Sequence, residues 1–145
     1  MTDLKLLALD NDDLAIISAH MQDAVFKVGD LSFSARSGLF SLAANRFVWE
    51  KAARATKSFE RRRAALSLKR VEAVRSIGFD RGKADEVMSL LAIRYVPKGE
   101  GPEGVVELVL AGGGTIALEV ECIEAQLADI GGAWETTARP EHEAG

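Results

Sequence analysis

From residue 105 to residue 121 the chain alternates twice about a glycine turn. Val106, Leu108 and Leu110 share one face, with Glu107 between them. Ala111-Gly112-Gly113-Gly114 interrupts the run. Ile116, Leu118 and Val120 then alternate with Thr115, Ala117, Glu119 and Glu121. Period two is how a strand buries one face, and glycines supply the positive φ angles of a tight hairpin turn. Beyond Glu121 the apolar positions Ile123, Leu127, Ile130 and Trp134 fall at helical spacing and predict a closing helix.

The same test applied upstream gives a meander. Leu4, Leu6 and Leu9 predict a short opening strand or extended arm. Asp10, Asn11, Asp12 and Asp13 suit a helix start, where side-chain oxygens cap free amides and negative charge meets the positive end of the dipole. Leu14, Ile17 and Met21 then mark an amphipathic helix over residues 11–22. Short strands follow around Phe26 and Val28, then Leu31, Phe33 and Ala35, then Phe40, Leu42 and Ala44. Residues 51–63 carry basic positions at helical spacing but a thin apolar face, which predicts a mobile loop better than a helix. Ala64, Leu66 and Leu68 restore strand character. The inward phase then moves to Val71 and Ala73, which predicts a bulge near Lys69-Arg70 within one strand. A turn over 78–85, a strand through Leu91, Ile93 and Tyr95 ended by Pro97, and a glycine-rich loop lead to the hairpin. The expected fold is α+β: a strongly bent antiparallel sheet of about seven strands, with an N-terminal helix and a C-terminal capping helix, pleckstrin-homology-like. Residues 1–134 would form one domain and 135–145 a disordered polar tail.

Composition narrows the function classes. With 145 residues the chain can bury one real core. The single cysteine, Cys122, excludes an intramolecular disulfide and a cysteine metal cage, and a lone thiol suits a reducing compartment. The opening Met1-Thr2-Asp3 has no leader character, and no apolar run is long enough to cross a membrane, so a cytoplasmic location is expected.

Charge is unevenly placed. Residues 46–83 hold twelve basic residues against four acidic ones, a segment of +8. The whole chain has 18 basic and 22 acidic residues, so six basic against eighteen acidic remain elsewhere, or −12. Such separation marks either an anion-facing surface or two parts that neutralise each other in the fold. The candidate anion-binding residues are Lys57, Arg61, Arg62, Arg63, Lys69 and Arg70, because guanidinium groups bind phosphate and carboxylate bidentately. Nucleic acid is the weaker partner: the isoelectric point is near 5.3, and only Trp49 and Phe59 could stack within the basic stretch.

Catalytic chemistry finds little support. His20 and His142 are the only histidines, and with one cysteine they make a zinc site improbable. Cys122 stands among Glu119, Glu121 and Glu124 and reads as a structural cysteine. The glycine triplet lacks the lysine and Ser/Thr of a phosphate-binding loop and joins two antiparallel strands. Asp10, Asp12 and Asp13 lack the glycine and glutamate that a calcium loop requires. No cofactor motif is present.

Several segments together resemble a small alphaproteobacterial family of unknown function. They are Leu7-Ala8-Leu9-Asp10, Ile17-Ser18-Ala19-His20-Met21-Gln22-Asp23-Ala24, Asn45-Arg46-Phe47-Val48-Trp49-Glu50 and Ala111-Gly112-Gly113-Gly114, with Leu118-Glu119-Val120-Glu121-Cys122-Ile123-Glu124-Ala125. The resemblance implies a single cytoplasmic domain and brings no activity, cofactor or site residue with it. The leading expectation is a non-catalytic binding or adaptor domain that uses residues 51–70 to meet an acidic protein or phosphate-bearing partner. The alternatives are an enzyme using His20 or Cys122 in a pocket beside the first helix, and weak RNA binding through the basic face.

Overall fold

Asp10 caps helix α1, Asn11–Met21: its Oδ1 accepts the Asp13 amide at 2.8 Å, and Asp12 and Asp13 stand in the first turn. The structure is a computed structural model describing residues 4–48 and 59–136, without the side chains of 59–60 and 132–136. Asp23, at φ 65°, ends the helix in the left-handed region. Around α1 run ten strands: β1 (Lys5–Ala8), β2 (Val25–Lys27), β3 (Leu31–Ser34), β4 (Leu39–Phe47), β5 (Phe59–Leu68), β6 (Val71–Ile77), β7 (Val87–Pro97), β8 (Gly104–Leu110), β9 (Thr115–Val120) and β10 (Ala125–Thr136).

All pairs are antiparallel, in the order β1-β10-β5-β4-β2-β7-β8-β9-β6, with β3 beside β4. The sheet folds back on itself at two corners. At one, Val25 of β2 pairs with both Asn45 of β4 and Ser89 of β7. At the other, the β5–β6 and β9–β10 connections hold each other through Lys69 N to Glu124 O and Glu121 N to Arg70 O, both 3.0 Å. Inward residues of both halves, such as Phe40, Leu42, Leu66, Leu108, Ile116 and Leu118, merge into one core. Leu14, Ile17 and Met21 of α1 join it. Past β2 the edge of β7 has no strand partner among the described residues, and α1 covers it: the Ile93 amide donates to Ser18 Oγ at 2.8 Å.

Two expectations fail, and with them the pleckstrin-homology-like fold. The first is the C-terminal capping helix. The stretch after Glu121 is strand β10, paired with β1 on one side and β5 on the other. Ile123, Ala125 and Leu127 are buried, whereas Ile130 is 58% exposed. The inward set therefore has period two, and the spacing of Ile123 and Leu127 satisfied both periods. Gly131 and Gly132 also weigh against helix, by about 1 kcal/mol each relative to Ala. The helix that packs into the core is N-terminal.

The second failure is the strand count. Among the described residues nine strands follow α1, two more than the expected seven. One is β10. The other arises because Lys69-Arg70 separates β5 from β6 where a bulge within one strand was expected. Arg70 adopts φ 61°, which turns the chain out of the first half of the sheet. The register irregularity lies further on, between Val71 and Ala73. β5 also begins at Phe59, so residues 59–63 of the loop expected over 51–63, Arg61, Arg62 and Arg63 among them, are strand; residues 51–58 of that loop lie outside the described residues.

The hairpin is as the alternation predicts. Gly112 and Gly113 have φ of 88° and 100°, and Leu110 N donates to Gly114 O at 2.9 Å. Gly104, at the start of β8, has a different task. A Cβ there would lie 2.5–2.6 Å from the ring and hydroxyl of Tyr95. That hydroxyl lies 2.8 Å from Pro102 O and 3.0 Å from Glu103 O, anchoring the loop before β8. Gly104→Ala should therefore cost about 1–3 kcal/mol through overpacking, read as a lower thermal midpoint.

Candidate functional site

Strand β5 divides the arginine triplet by its own period. Arg62 points inward in phase with Ala64, Leu66 and Leu68, while Arg61 and Arg63 take the outer face. The triplet cannot act as one patch.

Inside, Arg62 is 5% exposed and Arg46 of β4 is fully buried. They are cross-strand partners, and both approach Asp129 of β10, whose side chain is 1% exposed. Arg46 grips the carboxylate with two bonds, Nε to Oδ1 at 2.8 Å and Nη2 to Oδ2 at 3.1 Å. Arg62 Nη1 stands 3.9 Å from Oδ2. The Leu4 amide donates to Oδ2 at 2.9 Å, and Leu4 O accepts the Asp129 amide at 2.9 Å. One carboxylate thus ties β4, β5, β10 and the approach to β1. Breaking such a buried set is costly because it leaves desolvated charge without its partner.

Outside, Arg61 lies over the Phe47 ring, 5.7 Å from its centroid. Arg63 Nη1 donates to Asn45 Oδ1 at 3.4 Å, and its Nη2 lies 3.7 Å from Asp30 Oδ1. Both are half-buried and engaged with their own chain.

Lys69 and Arg70 sit at the other end of β5. Seven residues of extended chain separate Arg62 from Lys69, roughly 23 Å at 3.3 Å per residue. The candidate set therefore falls into two places, and Lys57 lies outside the described residues. At the corner, Lys69 and Arg70 meet a partner that the sequence reading did not single out. The β3–β4 turn brings Arg36, Ser37 and Gly38 against them, tied by Val71 N to Gly38 O at 2.9 Å. Together they line an open groove of about 530 Å³, with Glu72 and Glu121 on its wall. Arg70 makes long, exposed ion pairs to Glu121 (3.5 Å) and Glu124 (3.6 Å). Such pairs are worth about 0–1 kcal/mol, so a competing anion can displace them. Among the described residues, Arg36 and Lys69 make no ion pair.

His20 and Cys122 are not brought to a common groove. Cys122 lines a shallow depression of about 370 Å³ with Leu9, Asp10, Asn11 and Tyr95, at the N-terminal end of α1. His20 stands in the last turn of α1. Nine residues of helix from Asn11 to His20 span about 14 Å. Among the described residues, no group of three or more His, Cys, Asp or Glu could hold a metal ion, and no helix is long and apolar enough to cross a membrane.

Comparison with curated proteins and with solved structures gave no match. The model of one family, described as a protein of unknown function (DUF2948), matches residues 4–142, and the chain belongs to that family.

Proposed function

We propose that this domain is a non-catalytic binding module whose corner groove, formed by Arg36, Lys69 and Arg70, receives an acidic or phosphate-bearing partner. One observation carries the reading. Three cations from two turns about thirty residues apart in sequence line one open groove, and two of them, Arg36 and Lys69, make no ion pair among the described residues. The other basic side chains of β5 are engaged within the fold: Arg62 with Asp129, Arg63 with Asp30, and Arg61 with the Phe47 ring. The groove has a shape and charge for docking, and its lining residues include neither histidine nor cysteine.

The test uses fluorescein-labelled hexaglutamate and a phosphoserine peptide as probes, read by anisotropy. Arg36→Glu with Lys69→Glu should weaken binding at least tenfold, about 1.4 kcal/mol, and leave the melting temperature unchanged. Arg61→Gln with Arg63→Gln should leave affinity within twofold. Equal weakening by both pairs would contradict the assignment to the corner.

A further inference from the structure

One end of the strand path is β6, and β3 stands off the path beside β4. Among the described residues β3 pairs only with β4, and β6 only with β9, so each presents an edge with no described strand beside it. The seam between these edges is tied by backbone bonds at both ends, Val71 N to Gly38 O at 2.9 Å at one, and Gly29 N to Ala84 O at 2.8 Å with Val28 N to Glu86 O at 2.9 Å at the other. Between the ties lies a cleft of about 240 Å³ lined by residues of both strands. Val28, Leu31, Phe33, Phe40 and Val74 supply apolar walls, and Arg81, on the loop from β6 to β7, supplies the one charge among the lining residues. Val28 and Phe40 are buried. Leu31, Phe33 and Val74 pack on the core while remaining half-exposed. Arg81 is exposed and, among the described residues, makes no ion pair.

We propose that this seam cleft binds a small amphipathic carboxylate, its hydrocarbon body against Leu31, Phe33 and Val74 and its carboxylate on the Arg81 guanidinium. Ligand sites are mostly apolar, with few polar groups fixing orientation, and this lining has that composition. The single cation argues for a monoanion. A guanidinium fork matches one carboxylate bidentately, whereas a phosphate dianion would keep an uncompensated charge beside apolar walls. An added strand does not fit. β3 is four residues long, about 13 Å, and the ties at either end block an extended chain from running on. This site is separate from the corner groove: the two share no lining residue.

Octanoate is the probe and octanol its uncharged control, each titrated into isotope-labelled protein. Octanoate should produce saturable resonance shifts at Leu31, Phe33, Val74 and Arg81. Arg81→Gln should weaken octanoate at least tenfold and leave octanol unchanged. Val74→Trp, which fills the cleft from its half-exposed wall, should remove binding of both. Arg36→Glu with Lys69→Glu should alter neither, so the fate of this site is independent of the corner groove. The proposal is overturned if millimolar octanoate gives no saturable shift, if the shifts lie elsewhere, or if Arg81→Gln binds octanoate as the wild type does. Should Val74→Trp fail to fold, the Arg81→Gln comparison decides alone.

Discussion

Asp129→Ala is expected to destabilise the domain by about 3–5 kcal/mol, among the largest effects any single side chain here should have. The carboxylate is 1% exposed, takes two bonds from a fully buried Arg46, stands 3.9 Å from Arg62 and accepts the Leu4 amide. Removing it strips Arg46 of its two bonds from the carboxylate and the β1 approach of its anchor. Domains of this kind are stable by about 5–15 kcal/mol in all, so the loss is a large share. Asp129→Asn should cost less, since it keeps the shape and an acceptor. Denaturant midpoints for the two variants, beside Glu124→Ala on the exposed ion pair, check the ranking. A midpoint for Asp129→Ala equal to that of Glu124→Ala would show that the buried cluster does not hold β10 in place.

Leu118→Ala should cost about 2–5 kcal/mol. Leu118 is fully buried in the middle of β9, with Val74 of β6 and Val106 of β8 as its cross-strand neighbours. Little can move in to fill the space, because both neighbours are themselves fixed in the sheet. Leu108, Leu110, Ile116, Ile123 and Leu127 share the same core. An unchanged midpoint would mean that β9 does not pack as described.

The legible parts of the fold were those where one period stood alone. The β8–β9 hairpin, α1 and the inward faces of β2 and β4 follow from alternation, a cap and a turn. The end of the chain was not legible because Ile123 and Leu127, four residues apart, satisfy both a strand and a helix. A signal did exist. Asp129 continues the inward alternation of Ile123, Ala125 and Leu127, and Arg46 continues that of Phe40, Leu42 and Ala44. A charge on an inward phase must be paired, and the opposite signs of these two name each other as partners. The arginine triplet misled for a related reason: adjacent residues in a strand face opposite ways, so a run of charge in sequence is not a patch in space. Arg36 was invisible as a site residue because only the β3–β4 turn brings it to Lys69 and Arg70.

The most direct test of the binding reading is a map of backbone amide shifts during titration with the hexaglutamate peptide at low and physiological salt. The expected shifts cluster at Arg36, Ser37, Gly38, Lys69, Arg70 and Glu72 and shrink as salt screens exposed charge over roughly 8 Å. Shifts centred on Arg61, Arg62 and Arg63, or none at the corner, would contradict it.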